Sequence, residues 1–193
     1  MQNFMQNFMQ KELLRNHYLQ LRRKYSQEEM TDLSKQICEK FLSFALKNNW
    51  QQKKIAFYYS TKYEVSTVFL QKYFQEHNLT YCLPKINGDK LDFYRFNLET
   101  KLISNSKFSQ ILEPESAEKI LPEIVIVPLV AIDTKLNRLG MGKGYYDKTL
   151  ANINAIAIGF AFDLQVCKQD FLPQKHDYRL DYLITETQIL QKQ

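Results

Sequence analysis

Apolar residues in the first quarter of the chain recur at the spacing of α-helices. Over residues 10–25 they are separated by four, three and four positions, which places them in one stripe and predicts an amphipathic helix. A second helix is predicted after Ser26, because Ser26 and Glu29 have the spacing of a capping box. We expect this helix to end near residue 48. The first stripe is formed by Leu14, Tyr18, Leu21 and Tyr25, and the second by Met30, Leu33, Ile37, Phe41 and Phe44.

The rest of the chain contains short apolar runs, rich in β-branched and aromatic residues, that predict strands. Residues 87–89 read Asn-Gly-Asp and predict a hairpin turn, and Pro84 is expected to end the strand before it. Ser66 or Thr67 is expected to cap a helix. Residues 97–120 are polar, and we predict no regular element there. The predicted strands cover residues 54–59, 79–83, 91–96, 124–128, 155–159 and 181–185, and the predicted helices cover residues 66–77 and 146–150.

Strands that alternate with helical segments predict an α/β fold, built as a three-layer open sheet that is mostly parallel and has helices on both faces. The 193 residues suit one domain with a substantial core, which we assign to residues 10–193. Residues 1–9 repeat Met-Gln-Asn-Phe without a core pattern and without the features of a signal peptide. We therefore predict that they form a dispensable tail.

Composition narrows the functional classes. Apolar residues make up 45% of the chain, which excludes a disordered protein, and no apolar run is long enough to span a bilayer. The net charge of +5 suits an enzyme for anionic small molecules, and it comes without the basic runs or aromatic signature of nucleic-acid-binding proteins. The three cysteines lack metal-ligand spacing and indicate buried thiols in a reducing compartment. We predict a cytoplasmic monomer without nucleic-acid or membrane partners.

The most informative stretch is residues 137–147, called the glycine segment below, which read Asn-Arg-Leu-Gly-Met-Gly-Lys-Gly-Tyr-Tyr-Asp. It holds three of the five glycines and lies between a predicted strand and a predicted helix. Glycines let backbone N–H groups approach a phosphate, and a helix N-terminus adds a favourable dipole. The spacing matches neither the Walker motif nor the dinucleotide fingerprint, so a glycine-rich tight turn remains the alternative.

Residues 138–147 resemble the signature of the 5-formyltetrahydrofolate cyclo-ligases, also called 5,10-methenyltetrahydrofolate synthetases, and the resemblance extends from Lys11 to about Thr185. It implies a fold similar to ribose-5-phosphate isomerase and CoA-transferase domains. It also implies ATP-dependent cyclisation of 5-formyltetrahydrofolate to 5,10-methenyltetrahydrofolate, with release of ADP and phosphate after phosphorylation of the formyl oxygen. The chain departs from the family at Leu136, where glycine is frequent, and at Met141, where arginine is frequent.

The resemblance implies ligand contacts from both ends of the chain. Lys11 and Arg15, one helical turn apart, match a pair that contacts ATP, although periodicity alone assigns them and Arg22 to a solvated basic face. The set implied for ATP is Lys11, Arg15, Arg138, Leu139, Gly140, Met141, Gly142, Lys143, Gly144, Tyr145 and Tyr146. The set implied for the folate is Tyr59, Glu64, Met141, Gly142, Lys143, Gly144 and Tyr145.

The resemblance also implies which residues take part in the chemical step. These are Arg138, Lys143 and Tyr145, with Mg²⁺ as a cofactor held by Asp147 and Asp181. Phosphoryl transfer needs alignment and neutralisation of charge more than covalent help, and cations with one or two carboxylates meet that need.

Several of these positions also have ordinary interpretations. Without the resemblance, Tyr59 is a core aromatic and Glu64 a solvated loop acid. Glu113 and Pro114 match a family element at the cleft, and a rigid loop explains them as well. Two other functions fit the chain: a sugar-phosphate isomerase or acyl/CoA-transfer enzyme on the same architecture, and a non-catalytic nucleotide- or RNA-binding protein.

Overall fold

A computed structural model describes residues 2–97, 100–106, 108–109, 111–115 and 118–193, with side chains from residue 9 onward. The helices are α1 (Gln2–Arg22), α2 (Gln27–Lys47), α3 (Val68–Glu76) and α4 (Tyr145–Leu150), with a 3₁₀ turn at Asp163–Gln165. The strands are β1 (Ile55–Ala56), β2 (Tyr81–Asn87), β3 (Lys90–Phe96), β4 (Leu102–Ser104), β5 (Leu112–Pro114), β6 (Ile124–Val127), β7 (Ala131–Asp133), β8 (Arg138–Leu139), β9 (Ile156–Phe160), β10 (Val166–Cys167), β11 (Tyr182–Ile184) and β12 (Ile189–Gln191).

The centre of the fold is a seven-stranded sheet in the order β12-β11-β9-β6-β1-β2-β3. The strands from β11 to β2 pair in parallel, and the edge strands β12 and β3 are antiparallel to their neighbours. Two smaller sheets are formed by β10, β7 and β8 and by β4 and β5. The prediction of a mostly parallel sheet is therefore confirmed.

The two faces of the central sheet pack against different elements. Ile55 and Ile124 share a core with Phe41 of α2, and α3 contributes to the same cluster. Their neighbours in sequence, Ala56 and Val125, share a second core with α4. Successive residues of a strand point to opposite faces of a sheet. Helices therefore cover both faces, as the alternating pattern predicts.

The first helix extends beyond its predicted limits at one end and stops short at the other. α1 begins at Gln2, so the residues predicted to form a tail continue the helix. The repeat Met-Gln-Asn-Phe contains neither glycine nor proline to stop it. Tyr18 is buried among residues of β7 and β8, with Leu14 and Leu21 packed beside it. Tyr25, predicted to lie in the stripe of this helix, follows its last residue and packs on the core beneath α2.

The start of α2 confirms the capping box. Ser26 Oγ accepts a hydrogen bond from the Glu29 backbone N–H at 3.1 Å, and the Glu29 carboxylate accepts one from the Ser26 N–H at 2.7 Å. These bonds satisfy two backbone donors at the helix start and hold the pKa of the Glu29 carboxyl below its usual value. In the predicted stripe Met30, Ile37 and Phe41 are buried, and Leu33 and Phe44 pack partly buried against the same core.

The predicted strand boundaries need correction. β1 covers only two residues of the range 54–59. β2 does not end at Pro84 but continues to Asn87. It pairs with β1 only at Tyr81 and Cys82, so the missing N–H of Pro84 lies where no neighbouring strand needs it. The predicted hairpin turn is confirmed by the pairing of Asn87 with Lys90.

Several short strands lie where the sequence predicts none, among them β4, β5 and β12. Residues 97–120, predicted to be irregular, contain β4 and β5, which pair antiparallel with each other. The strand predicted at 181–185 corresponds to β11, and β12 follows it as a further antiparallel strand. Each of these unpredicted strands has three residues, too few for a recognisable alternation of apolar and polar positions.

The cysteines are free and buried, as predicted. Burial raises the pKa of the Cys38 thiol and of the Cys82 thiol to about 12. In the part of the chain that the structure describes, no helix combines the length and the apolar character needed to cross a membrane.

Candidate active site

The glycine segment is reached through a hairpin rather than directly from β6. After β6 the chain forms β7 and β8, which pair antiparallel. Asp133 closes their turn by accepting hydrogen bonds from the N–H groups of Lys135 and Asn137. Leu136 lies in this turn with φ of +67°, a conformation that favours glycine, and its side chain is buried in the second core. The chain thus accommodates leucine at this position by packing it.

Glycine is required at two positions of the segment by backbone conformation. Gly142 has φ of +82° and Gly144 has φ of +71°, and Gly144 occupies the N-cap position of α4. Two arginines also crowd the segment. A Cβ added at Gly142 would lie 3.4 Å from Arg15 Cζ, and one added at Gly140 would lie 2.9 Å from an Nη atom of Arg138. The segment is therefore a tight turn with cations held against its backbone.

α1 contributes two of the predicted cations. Arg15 Nε donates a hydrogen bond to the Gly140 carbonyl oxygen at 2.7 Å, and Arg15 also pairs with Glu12. Lys11 Nζ forms an ion pair of 2.6 Å with the Asp177 carboxylate. The side chains of Lys11 and Arg15 are only 12% and 13% exposed, so neither belongs to a solvated face.

Arg138 and Asp147 form an ion pair of 2.7 Å within the glycine segment. The same oxygen of Asp147 accepts a hydrogen bond from the Tyr178 N–H at 3.0 Å. The Arg138 guanidinium lies 5.8 Å from the centre of the Tyr146 ring, and its Nε has no partner among the described residues. Burial raises the pKa of the Tyr146 hydroxyl, and the Glu64 carboxylate raises it further.

Lys143 is the exposed cation of the segment. Its Nζ lies 6.0 Å from the centre of the Phe108 ring, and Phe108 makes an edge contact with Tyr145 at 6.4 Å between ring centres. The region between β4 and β5 therefore approaches the glycine segment. Phe108 is missed by the sequence reasoning, because an isolated aromatic in a polar stretch is its only signal.

The loop after β1 carries the residues predicted to bind folate. Tyr59 is 38% exposed, which rules out a core role for its ring. Glu64 Oε2 accepts hydrogen bonds from the N–H and the hydroxyl of Thr61, both at 2.8 Å. A cavity of about 280 Å³ opens between this loop and α2, lined by Tyr59 and Glu64. The Glu64 carboxylate also raises the pKa of the Tyr146 hydroxyl, so this loop acts electrostatically on the glycine segment.

Three residues of the glycine segment that are predicted to bind ligands differ in their exposure to solvent. Leu139 is buried in the core around Tyr18, and its carbonyl accepts the Val130 N–H at 2.7 Å. Its side chain is therefore unavailable to a ligand. Met141 is 63% exposed between two glycines, and Tyr145 packs partly buried at the start of α4.

The two carboxylates predicted to bind Mg²⁺ are not brought together by any contact between described residues. Asp181 Oδ2 accepts the Ala157 N–H at 2.9 Å near the amino end of β9, and the carboxylate lies 3.7 Å from Lys192. Open α/β sheets bind ligands at the carboxyl ends of their strands, so Asp181 lies at the wrong edge. Asp177, which the sequence reasoning does not select, reaches the site through Lys11.

Asp147 and Asp177 are the carboxylates that fit a metal ion at this site. Within the described ranges no three His, Cys, Asp or Glu side chains cluster, but Mg²⁺ commonly uses one or two carboxylates with phosphate oxygens and waters. Each of the two aspartates uses one oxygen for a cation and a backbone N–H, and the other oxygen accepts no hydrogen bond from the residues that the structure describes. Those partners are Arg138 and Tyr178 for Asp147, and Lys11 and Gln174 for Asp177.

Glu113 lies in the interior of the protein rather than at an open cleft. It is buried, and its carboxylate accepts hydrogen bonds from the Ile86 N–H at 2.7 Å and from the Asn105 side-chain amide at 2.9 Å. Lys85 donates to the carbonyl oxygens of Pro114 and Glu115. These bonds fix the β4–β5 sheet to β2, which supports the rigid-loop interpretation of Glu113 and Pro114.

Comparison with known proteins gives a consistent result. The chain matches the model of the 5-formyltetrahydrofolate cyclo-ligase family over residues 7–186. It is 36% identical over 137 residues to the 5-formyltetrahydrofolate cyclo-ligase of Haemophilus influenzae, a match that covers 65% of this chain and 71% of that one. It is 31% identical over 181 residues to the 5-formyltetrahydrofolate cyclo-ligase of Mycoplasma pneumoniae, covering 92% of this chain and 99% of the other.

A solved structure shares the fold. The NMR structure of Aquifex aeolicus 5,10-methenyltetrahydrofolate synthetase superposes with a TM-score of 0.79 at 30% identity, covering 94% of this chain and 92% of that one. The family match includes residues 7–22 of α1, the loop after β1 and the glycine segment, which contribute to the site described above. The chain therefore belongs to the 5-formyltetrahydrofolate cyclo-ligase family of enzymes.

Proposed function

We propose that the protein catalyses the ATP-dependent cyclisation of 5-formyltetrahydrofolate to 5,10-methenyltetrahydrofolate, with release of ADP and phosphate. The observation that carries this proposal is the approach of α1 to the glycine segment, where Arg15 contacts the Gly140 carbonyl and Lys11 lies largely buried. Cations gathered around a glycine turn at the start of a helix suit a polyphosphate. The names of the relatives supply the folate substrate and product.

The reaction has two chemical obstacles, and phosphorylation removes both. The formyl carbon of the substrate is an amide carbon and a poor electrophile, and its oxygen is a poor leaving group. Attack of the formyl oxygen on the γ-phosphorus breaks the bond to ADP and forms a phosphate ester. N10 of the folate then bonds to the activated carbon, phosphate leaves with the former formyl oxygen, and the N10 proton passes to solvent. The protein contributes alignment and charge neutralisation.

Four cations are available for the phosphate charge. Lys11, Arg15 and Arg138 are held in place by hydrogen bonds or ion pairs, so they are oriented before ATP binds. Lys143 is exposed, and no carboxylate of the described residues pairs with it. Its flexible ammonium can follow the γ-phosphoryl group as this moves to the formyl oxygen.

We assign recognition of the folate to Tyr59, Glu64 and Tyr145. Glu64 lines the cavity, and its Oε1 has no hydrogen-bond partner among the described residues. A pterin ring presents N–H donors that a carboxylate accepts well. Tyr145, in contact with Phe108, lies at the start of α4 and can separate the nucleotide from the folate.

We assign Mg²⁺ to the end of the site formed by Asp147, with Asp177 as the second carboxylate in place of Asp181. When bound, Mg²⁺ would neutralise phosphate charge during transfer. The role of Asp147 in the protein itself is to hold Arg138 and the Tyr178 backbone in position.

We further propose that the enzyme is a cytoplasmic monomer whose first eight residues are dispensable. Three buried free thiols are consistent with a reducing compartment. Deletion of residues 1–8 removes α1 residues ahead of Lys11, and we expect kinetic constants close to those of the full chain.

The test is conversion of 5-formyltetrahydrofolate by the purified protein, followed by absorbance of the methenyl product. We expect product with MgATP and none when ATP is omitted. A folded protein that leaves the substrate unchanged with MgATP would contradict the proposal. Turnover of a phosphosugar or a CoA thioester without ATP would instead support the isomerase or acyl-transfer alternative.

A further inference from the structure

Arg22, at the end of α1, is a buried cation without an adequate partner. Periodicity assigns it to a solvated face, yet it is only 4% exposed. Its Nε has no hydrogen-bond partner in the described part of the chain. One Nη atom lies 3.5 Å from the Leu129 carbonyl oxygen, and that oxygen already accepts a hydrogen bond from Gln165 at 3.0 Å. The guanidinium thus has one long contact, to an oxygen that it shares with a shorter hydrogen bond from Gln165.

A buried guanidinium with so few hydrogen bonds is unfavourable unless another group supplies an acceptor. A buried charge stabilises a fold only when its donors are paired, and an unpaired N–H loses its hydration without compensation. Arg138, the other buried arginine of this region, is paired with Asp147 at 2.7 Å. A ligand that supplies an acceptor oxygen would pair with Arg22 as Asp147 pairs with Arg138.

The end of α1 that carries Arg22 lies against the loop proposed to bind the folate, because the guanidinium of the next residue, Arg23, is 5.6 Å from the centre of the Tyr63 ring. Burial lowers the pKa of the Arg22 guanidinium, and the Glu64 carboxylate and the Tyr58 hydroxyl act in the opposite direction. Glu64 is therefore the carboxylate whose charge acts on the Arg22 guanidinium. Its Oε2 already accepts two hydrogen bonds from Thr61. The Tyr58 hydroxyl donates to the Val65 carbonyl oxygen at 2.7 Å, and its oxygen accepts no hydrogen bond from Arg22 within the described part of the chain. Arg22 thus has an unpaired donor and Glu64 an oxygen without a hydrogen-bond partner among the described residues, and the two side chains interact electrostatically.

The edge of a pterin ring matches this pair of groups. It carries an exocyclic amine, a ring N–H and a ring carbonyl oxygen side by side, so two donors are followed by one acceptor. A carboxylate can accept from the two donors, and a neighbouring guanidinium can donate to the oxygen. Without such a donor, the pterin carbonyl oxygen would lose its hydrogen bonds to water on binding and gain none in return.

We propose that Arg22 contacts the folate directly, donating its unpaired N–H to the pterin carbonyl oxygen while Glu64 accepts from the adjacent N–H groups. This inference rests on the proposed function, since it assigns a contact within the folate site. It makes Arg22 a substrate-binding residue and a determinant of specificity for a ring that carries an oxygen at that position.

The kinetic test uses Arg22→Gln and Arg22→Lys, with Arg23→Gln as the matched control. Arg23 is exposed, and its guanidinium lies 5.6 Å from the centre of the Tyr63 ring. We expect both Arg22 variants to raise the KM for 5-formyltetrahydrofolate by roughly tenfold or more, since a lysine lacks the planar fork of N–H groups. The KM for MgATP should stay within about twofold, and Arg23→Gln should change neither constant.

A purely structural role for Arg22 gives a different result. It predicts a lower melting temperature and equal losses for both substrates, or no kinetic change in a folded variant. Either result would overturn the proposal.

A measurement on the unaltered protein keeps the proposal testable if both variants fail to fold, and it needs no turnover. In ¹⁵N-labelled protein the Arg22 Nε–H resonance, assigned through the bonds of its side chain, should shift when 5-formyltetrahydrofolate is added without ATP. Addition of MgATP alone should leave this resonance in place. Saturation with the folate without any shift overturns the contact, whether or not the protein turns over. Absence of turnover in the unaltered protein bears instead on the proposed function.

Discussion

Lys11 and Asp177, 166 positions apart in the sequence, form an ion pair of 2.6 Å. Their side chains are 12% and 28% exposed, so water screens the pair only in part. Asp177 also accepts the Gln174 N–H at 2.8 Å. The pair therefore ties α1 to the segment that precedes β11, and it holds a cation beside the glycine segment.

Replacing Lys11 by methionine should raise the KM for ATP by roughly tenfold or more, because a hydrogen bond to a charged group contributes about 1.5–3 kcal/mol. The KM for 5-formyltetrahydrofolate should change little. Initial rates with each substrate varied in turn measure both constants. Lys35→Met is the control, because Lys35 is exposed and its 3.9 Å pair with Glu39 lies on α2. If the two substitutions affect ATP equally, Lys11 has no specific role.

Replacing Lys143 by methionine should lower kcat by roughly 100-fold or more, because the role proposed for its ammonium is to contact the transferring phosphoryl group mainly in the transition state. The KM for the folate should change much less. Lys148→Met is the matched control from the same region. Lys148 forms an exposed pair of 3.1 Å with Asp89, and we expect its replacement to be nearly silent. Full kcat in Lys143→Met, or equal damage in both variants, would exclude this role.

Replacing Gly142 by alanine should lower kcat/KM for ATP by roughly tenfold or more. An alanine at φ of +82° is strained by about 1–2 kcal/mol, and its Cβ would lie 3.4 Å from Arg15 Cζ. Gly88→Ala separates strain from function. Gly88 has φ of +62° in the hairpin turn, with open space around it. We expect similar losses of melting temperature in the two variants and unchanged kinetics in Gly88→Ala. Unchanged kinetics in Gly142→Ala would show that the close approach to Arg15 is unimportant.

The sequence predicts those parts of the fold whose signals are local. The capping box at Ser26, the hairpin turn at 87–89 and the buried runs of β6 and β9 need only a few neighbouring residues to be recognised. Pro84 misleads, because its effect depends on where β1 ends. The tolerance of a proline in β2 is a property of the sheet, which no local pattern contains.

The residues of the site, too, can be predicted from the sequence only where their signals are local. The glycine segment, Lys11 and Arg15 can be found from motifs, and the structure brings them together. Asp177 and Arg22 carry no sequence signal that distinguishes them from solvated charges. Asp177 is identified by a contact with the far end of the chain, and Arg22 by its burial. Long-range packing decides both.

Because Cys38 and Cys82 are buried, the stability of the protein should depend on pH in the alkaline range. Burial raises the pKa of each thiol from 9.0 to about 12. The unfolded chain therefore loses these protons first, and the free energy of unfolding should fall as the pH rises above about 9. Chemical denaturation at about pH 8 and about pH 10 measures the fall. The double variant Cys38→Ala/Cys82→Ala should show a smaller fall, and an equal one would contradict this origin.

The transfer of the formyl oxygen to phosphate is the central step of the account, and an isotope can follow it directly. 5-Formyltetrahydrofolate labelled with oxygen-18 in the formyl group is converted with unlabelled MgATP, and the released phosphate is analysed by mass spectrometry. Phosphorylation of the formyl oxygen predicts that the label appears in inorganic phosphate, in proportion to the methenyl product. Unlabelled phosphate, with the label recovered in water, would contradict the mechanism.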